Sequence, residues 1–96
     1  MTTARARWDR LAADVSAVLP VSVSSSTYPG SVTYYIDRRL PDGNYLAIHD
    51  TWWRKNADVW TGYAVTLEDS DDILTREWPR TKKRSEVVAA VREAIA

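Results

Sequence analysis

Residues 32–53, "VTYYIDRRLPDGNYLAIHDTWW", contain the strongest structural signal in this chain. They contain two runs rich in β-branched and aromatic residues, and the pair Asp42-Gly43 lies between those runs. An Asp-Gly pair accepts the positive φ angles of a tight turn, and such runs favour extended strands. The stretch therefore predicts a β-hairpin at the centre of an antiparallel sheet.

The register of this hairpin decides which side chains face the core. A two-residue Asp-Gly loop pairs Leu40 with Tyr45 and Ile36 with His49 on one face. The face predicted to receive the helices carries Val32, Tyr34, Ile36, Leu40, Tyr45, Tyr63, Val65 and Leu67. The opposite face is predicted to carry Tyr35, Arg39, Leu46, Ile48, Trp52, Trp60, Arg76 and Trp78. A one-residue change in register would exchange the inward and outward sets of one strand relative to the other.

Two amphipathic helices are predicted to flank the sheet. Apolar residues recur at helical spacing from Trp8, with Thr2 or Thr3 as the N-terminal cap and Pro20 as the stop signal. Ser85 is predicted to cap a final helix, "EVVAAVREAIA", which has an apolar stripe of its own. Both helices have an apolar side to bury, and a sheet face can accept it.

Three further segments complete the predicted architecture. Residues 59–67 predict a third strand, and residues 73–78 predict a fourth strand or an irregular approach to the last helix. Residues 20–31 predict a loop or a short edge strand. We therefore predict one α+β domain over residues 1–96: an N-terminal helix, an antiparallel meander of three or four strands and a C-terminal helix, both helices on one sheet face.

Composition limits the classes of protein to consider. The 96 residues contain 13 Lys and Arg against 13 Asp and Glu, so no overall charge attracts nucleic acid or an anionic membrane. Apolar runs fall short of the roughly 18 residues that suggest a membrane span, and the N-terminus lacks a signal-peptide pattern, so we expect a cytoplasmic protein. Arginine outnumbers lysine ten to three, a bias typical of GC-rich bacteria and their phages, which makes phage origin one expectation.

The residues needed for common chemistries are scarce. The chain has no cysteine and one histidine, which excludes thiolate catalysis and the usual zinc ligand sets. His49 is predicted to be a structural residue beside Ile36, and its neighbour Asp50 lies on the other side of the strand. No catalytic residue, metal, cofactor or small-molecule substrate is therefore predicted, and we expect a non-enzymatic domain.

The second sheet face is predicted to be too apolar to lie open to water. Its cover is the segment 20–30 of the same chain, a second copy of the chain, or a different protein. The leading hypothesis is a small protein-binding or accessory module, with a protein partner or the chain itself, in a homodimer, as its target. The predicted partner-binding residues, rich in the types enriched at interface hot spots, are Tyr35, Arg39, Trp52, Trp60 and Trp78.

The alternative hypothesis is nucleic-acid binding through "REWPRTKKRSE", residues 76–86. Cations ahead of a helix oppose its macrodipole, so the cluster needs an anion. That anion is either a phosphate or the acidic loop at residues 68–72 of the chain itself. The predicted phosphate-binding residues are Arg76, Arg80, Lys82, Lys83 and Arg84.

Two resemblances bear on this alternative. The order helix, three strands, helix, with lysines opening "TKKRSEVVAAVREAIA", resembles double-stranded RNA-binding domains and implies phosphate contacts by the residues 82–84. The strand meander is also loosely similar to the small sheet-reading DNA-binding domains of phage integrases. That similarity implies that Arg38, Arg39 and Arg54 face a groove of the DNA.

Overall fold

A computed structural model describes residues 3–29, 31–50, 60 and 62–96. Trp52, Trp53 and the predicted turn at residues 54–58 lie outside the described residues. The elements are α1 (Ala4–Ser16), β1 (Ser24–Tyr28), β2 (Ser31–Arg39), β3 (Tyr45–His49), β4 (Ala64–Glu68), β5 (Leu74–Glu77) and α2 (Arg84–Ile95). The strands form one antiparallel sheet in the order β1-β2-β3-β4-β5.

The predicted α+β order is confirmed, with five strands in place of three or four. The additional strand is β1, which pairs with β2 along its whole length, from Ser24 opposite Tyr35 onward. Residues 20–31 were predicted to form a loop or a short edge strand, and Ser24–Tyr28 form that edge strand. Val21 and Val23, just ahead of β1, pack against the hydrophobic core.

The hairpin register is shifted by one residue from the predicted one. Ile36 lies opposite Ile48, and Arg39 lies opposite Tyr45. The cause is the loop, which has three residues: the Leu40 amide donates to the Asn44 carbonyl at 2.7 Å, and Gly43 takes a φ of 91°. A three-residue hairpin loop commonly ends in such a left-handed residue.

This shift exchanges the predicted faces of β3. Leu46 and Ile48 lie on the same face as Ile36 and are buried in the core, so their predicted place on the opposite face was wrong. Tyr45 was predicted on the helix face and lies on the other one, together with His49.

One hydrophobic core joins both helices to the sheet. α1 packs against β2 and α2, and α2 packs against β4. The strand residues Ile36, Ile48 and Val65 share one face by register, and that face meets the helices. The helix residues buried in the same core are Trp8, Leu11, Ala12, Val15, Val87, Ala90 and Val91.

The helix starts follow the sequence in one case only. The Thr3 hydroxyl accepts from the Ala6 amide at 3.1 Å and caps α1, as predicted. For α2 the N-cap is Lys83, so the predicted capping role of Ser85 was wrong; the chain is extended at Lys83 and Ser85 already lies inside the helix. Of these two helices, neither is long and apolar enough to cross a membrane.

Candidate functional site

The sheet face opposite the helices is the candidate site, and we call it the outer face. Directly paired residues of antiparallel strands share a face, so the register identifies its members. Both Tyr35 and Arg39, predicted on this face, lie there. The outer face carries Tyr35, Asp37, Arg39, Tyr45, Ala47, His49, Ala64, Thr66, Glu68, Leu74 and Glu77.

A groove of about 500 Å³ lies on the outer face over β4 and β5. Its floor is low because Ala64 and Thr66, the outward residues of β4 there, have small side chains. Larger side chains on both sides form the walls. We call it the β4–β5 groove, and its lining residues are His49, Ala64, Thr66, Glu68, Leu74, Glu77, Trp78 and Arg80.

Two carboxylates line this groove. Glu77 lies opposite Thr66, and Glu68 lies opposite Leu74, so the two glutamates are diagonal neighbours across the strand pair. Such neighbours are roughly 7–8 Å apart, which is within reach of one ligand group between them. Within the described part of the chain, neither Glu68 nor Glu77 forms an ion pair or a side-chain hydrogen bond.

The guanidinium of Arg80 closes one end of the groove. Its Nη1 donates to the backbone carbonyls of Asp50 and Gly62, at 2.9 and 3.0 Å. The side chain therefore joins the end of β3 to the start of β4 while it lines the groove. This structural role differs from the predicted phosphate contact, although the residue lies at a candidate site.

His49 lies at the same end of the groove and is only 4% exposed. It was predicted beside Ile36 on the helix face, and the shifted register places it on the outer face instead. Burial, and then the nearby positive charge of Arg80, lower the pKa of His49 to about 4. The imidazole is therefore neutral at pH 7 and adds no charge to the groove. Asp50 turns toward α1, where its carboxylate lies 3.8 Å from Arg7.

The low pKa of His49 predicts a loss of stability in acid. Unfolded His49 binds a proton near pH 6.5 and the folded residue near pH 4, so stability should fall as pH drops between these values and stay flat above them. The shift corresponds to about 3 kcal/mol. Urea unfolding at stepped pH, compared between the wild type and His49→Gln, isolates this contribution because the chain has one histidine. A parallel pH dependence in both proteins would contradict the prediction.

Trp60 and Trp78, both predicted to bind a partner, are partly buried against the core. The ring of Trp60 meets Tyr63 edge-on at 5.3 Å, and Arg7 lies 4.4 Å from its centroid. Trp78 reaches α2, where its Nε1 donates to Glu93 at 2.8 Å. Of the two, Trp78 also lines the β4–β5 groove.

Arg76 lies on the helix side of the sheet, contrary to its predicted place on the opposite face. It pairs across the strands with Leu67, and its guanidinium bonds Glu93 at 2.6 Å while lying 4.5 Å from the Trp78 ring centroid. The register causes this, because Arg76 lies directly opposite Leu67, a residue of the helix face. The β-bulge follows between Leu67 and Glu68 and brings Leu74 opposite Glu68.

The residues of the predicted basic cluster contact different partners within the same chain. Arg84 bonds Asp14 of α1 at 2.7 Å, and the amine of Lys83 lies 3.9 Å from Glu86. Lys82 lies 5.8 Å from the centroid of the Trp60 ring. Among the described residues, the ion pairs of this cluster go to the two helices and not to the acidic loop at residues 68–72.

The carboxylates of the groove were missed by the sequence reading. Glu68 was assigned to a solvated acidic loop and Glu77 to a segment of uncertain structure. The sequence does contain a signal for Glu68. Side chains alternate along a strand, so burial of Val65 and Leu67 on one face predicts Thr66 and Glu68 on the other face. The described ranges contain no group of three or more carboxylate or histidine side chains that could hold a metal ion.

Comparisons with protein-family models, with curated proteins and with solved structures find no match for this chain.

Proposed function

We propose that this chain is a non-catalytic protein-binding domain whose binding surface is the outer face with its β4–β5 groove. The observation that carries the proposal is the one-sided arrangement of the sheet: both helices pack on the same face, and the other face holds the β4–β5 groove. A surface of this shape presents side chains without any change in the core.

The composition of this surface supports a protein as the partner. Tyr35, Arg39 and Trp78 belong to the residue types enriched in protein interfaces. Leu74 at the groove is 50% exposed and the adjoining Ile73 is 60% exposed, so two aliphatic side chains stand beside charged ones. This mixture of apolar and charged groups is typical of interfaces between proteins that also exist separately.

The nucleic-acid alternative has less support from the contacts. A phosphate at Arg76 or Arg84 must compete with Glu93 or Asp14, which already bond those guanidiniums. Lys82 and Lys83 remain exposed, but two exposed lysines contribute few of the phosphate contacts that drive such binding. We therefore treat nucleic-acid binding as an outcome of the test below.

Position-specific photo-cross-linking tests the proposal. p-Benzoyl-L-phenylalanine is placed at Leu74 on the outer face, at Lys83 in the basic cluster, or at Arg92, an exposed residue of α2, as the matched control. Each variant is irradiated in its native cells, and adduct masses are measured. We expect protein adducts of defined mass from position 74 and none from position 92.

Each other outcome has a definite meaning in this experiment. An adduct of twice the mass of the chain at position 74 supports the outer face as the surface of a homodimer. Nucleic-acid adducts at position 83, with none at position 74, would overturn the proposal in favour of the basic cluster. Equal adducts at positions 74 and 92 would contradict a defined binding face.

A further inference from the structure

We infer that the β4–β5 groove receives a cationic side chain, lysine or arginine, presented by the partner protein. This inference rests on the proposed function and names the chemistry of its central contact. The charge of the groove, its shape and the apolar groups beside it all fit such a side chain.

Ion pairs are unevenly distributed among the carboxylates of the described chain. Five carboxylates of the described chain lie within 4.0 Å of a cationic side chain: those of Asp9, Asp14, Asp50, Glu86 and Glu93. Glu68 and Glu77 have no such partner among the described residues, and both face the same groove. Five aspartates of the described chain also lack an ion pair, but none of them lines this groove: Asp37, Asp42, Asp69, Asp71 and Asp72. The chain therefore leaves a pair of negative charges together at one place.

Arg80 offsets only part of this charge. Two carboxylates and one guanidinium line the groove, and His49 is neutral at pH 7, so the lining has a net charge of about minus one. The Nη1 of Arg80 is directed at two backbone carbonyls at the end of the sheet. The negative side of the groove thus lies along Glu68 and Glu77, where an incoming cation gains most.

The shape of the groove also fits a long cationic side chain. Glu68 and Glu77 are diagonal neighbours over the low floor formed at Thr66, so a cationic group between them can donate hydrogen bonds to both carboxylates. Charge-assisted hydrogen bonds of this kind are short and about twice as strong as neutral ones. β5 is the edge of the sheet and all four of its residues are exposed, so a long side chain can enter from that side.

The apolar part of the lining lies beside the two carboxylates. Leu74 and Trp78 flank the carboxylates, and they offer the surface on which the methylene stem of a lysine or arginine packs. A bare metal ion has no stem to pack, and a group of three or more metal-ligating side chains does not occur in the described part of the chain. A cationic side chain uses both the charge and the apolar wall.

The test is a titration of isotope-labelled protein with small probes, followed by NMR. The probes are N-acetyl-lysine methylamide and N-acetyl-arginine methylamide, with N-acetyl-glutamate methylamide as the charge-reversed control. We expect saturable shifts of the Thr66, Glu68 and Glu77 amides and of the Trp78 indole signal, with a Kd on the order of 1 mM for the cationic probes. The glutamate probe should leave these signals unchanged.

Variants assign the binding to the two carboxylates. The double variant E68Q/E77Q should weaken binding of the cationic probes at least about tenfold, a change that corresponds to 1.4 kcal/mol. The matched control is Glu86→Gln, which removes an exposed carboxylate from α2 and should leave the affinity unchanged. Unchanged amide dispersion of E68Q/E77Q shows that the fold persists.

Three results would overturn the inference: no saturable shift with either cationic probe, equal shifts with the glutamate probe, or undiminished affinity in E68Q/E77Q. The same shifts with Ca²⁺ or Mg²⁺ alone would assign the groove to an inorganic cation instead and would also overturn it. Failure here, together with protein adducts at position 74, rejects the cationic contact and retains the protein-binding face. Loss of the adducts rejects the proposed function itself.

Discussion

Replacing Trp8 with alanine is expected to lower the free energy of unfolding by about 3–5 kcal/mol. Trp8 is 1% exposed, and its ring meets the edge of Tyr63 at a centroid distance of 5.0 Å. It is the largest side chain by which α1 enters the core, and the helix packs there against β2 and α2. Its removal leaves a cavity where helix and sheet meet, because such sites relax only in part.

Urea denaturation followed by far-UV circular dichroism measures this loss. Trp78→Ala is the matched control, because it removes the same side chain from a half-buried position whose indole also lines the groove. We expect the control to cost clearly less than Trp8→Ala, with similar denaturant slopes in both variants. Equal costs for the two variants would mean that Trp8 is not the main anchor of α1.

Most of the architecture follows from local patterns in the sequence. The helical spacing that begins at Trp8 and the cap at Thr3 both reappear in α1. The β-branched and aromatic runs on either side of Asp42 become β2 and β3. These signals lie within single elements, so neighbouring residues alone are enough to read them.

The register could not be read in the same way. Asp42-Gly43 fits a two-residue turn, and it also fits the end of a three-residue loop, which is the form that the chain adopts. The two loops differ by one residue of register and so exchange the faces of β3. Burial decides between them, because the observed loop places Leu46 and Ile48 in the core. Core composition is a non-local property that a turn motif does not encode.

The candidate site could not be predicted from strand register alone, because it depends on tertiary contacts between distant segments. Its walls come from the ends of β3, β4 and β5 and from Arg80, which reaches two carbonyls that are distant in sequence. The partners of the basic cluster are equally distant, since Arg84 meets Asp14 of the other helix. The basic residues are visible in the sequence. Which carboxylates form ion pairs and which face the groove depends on the tertiary fold.

Gly62→Ala is the second substitution expected to have a large effect, with a loss of stability on the order of 4 kcal/mol. Gly62 has a φ of 103°, a conformation that residues with a side chain rarely adopt. A Cβ atom there would lie 2.6 Å from the carbonyl oxygen of Thr81, whose backbone pairs with Tyr63 next in the chain. The contact is with backbone, so no side-chain rotation relieves it.

Gly43→Ala separates the two contributions to this cost. Gly43 also has a positive φ, 91°. A Cβ atom added there would lie 4.0 Å from the Cβ atom of Ser70, which is an ordinary van der Waals contact. It should lose only about 1–2 kcal/mol, the cost of the backbone conformation alone. The difference between the variants in urea denaturation then measures the close approach of the start of β4 to the segment before α2.

Since the Gly62 carbonyl accepts from Arg80, moving this backbone should also shift the indole NMR signal of Trp78 in the groove, whereas Gly43→Ala should leave it in place. Equal losses of stability in the two variants would show that the backbone at Thr81 yields without cost.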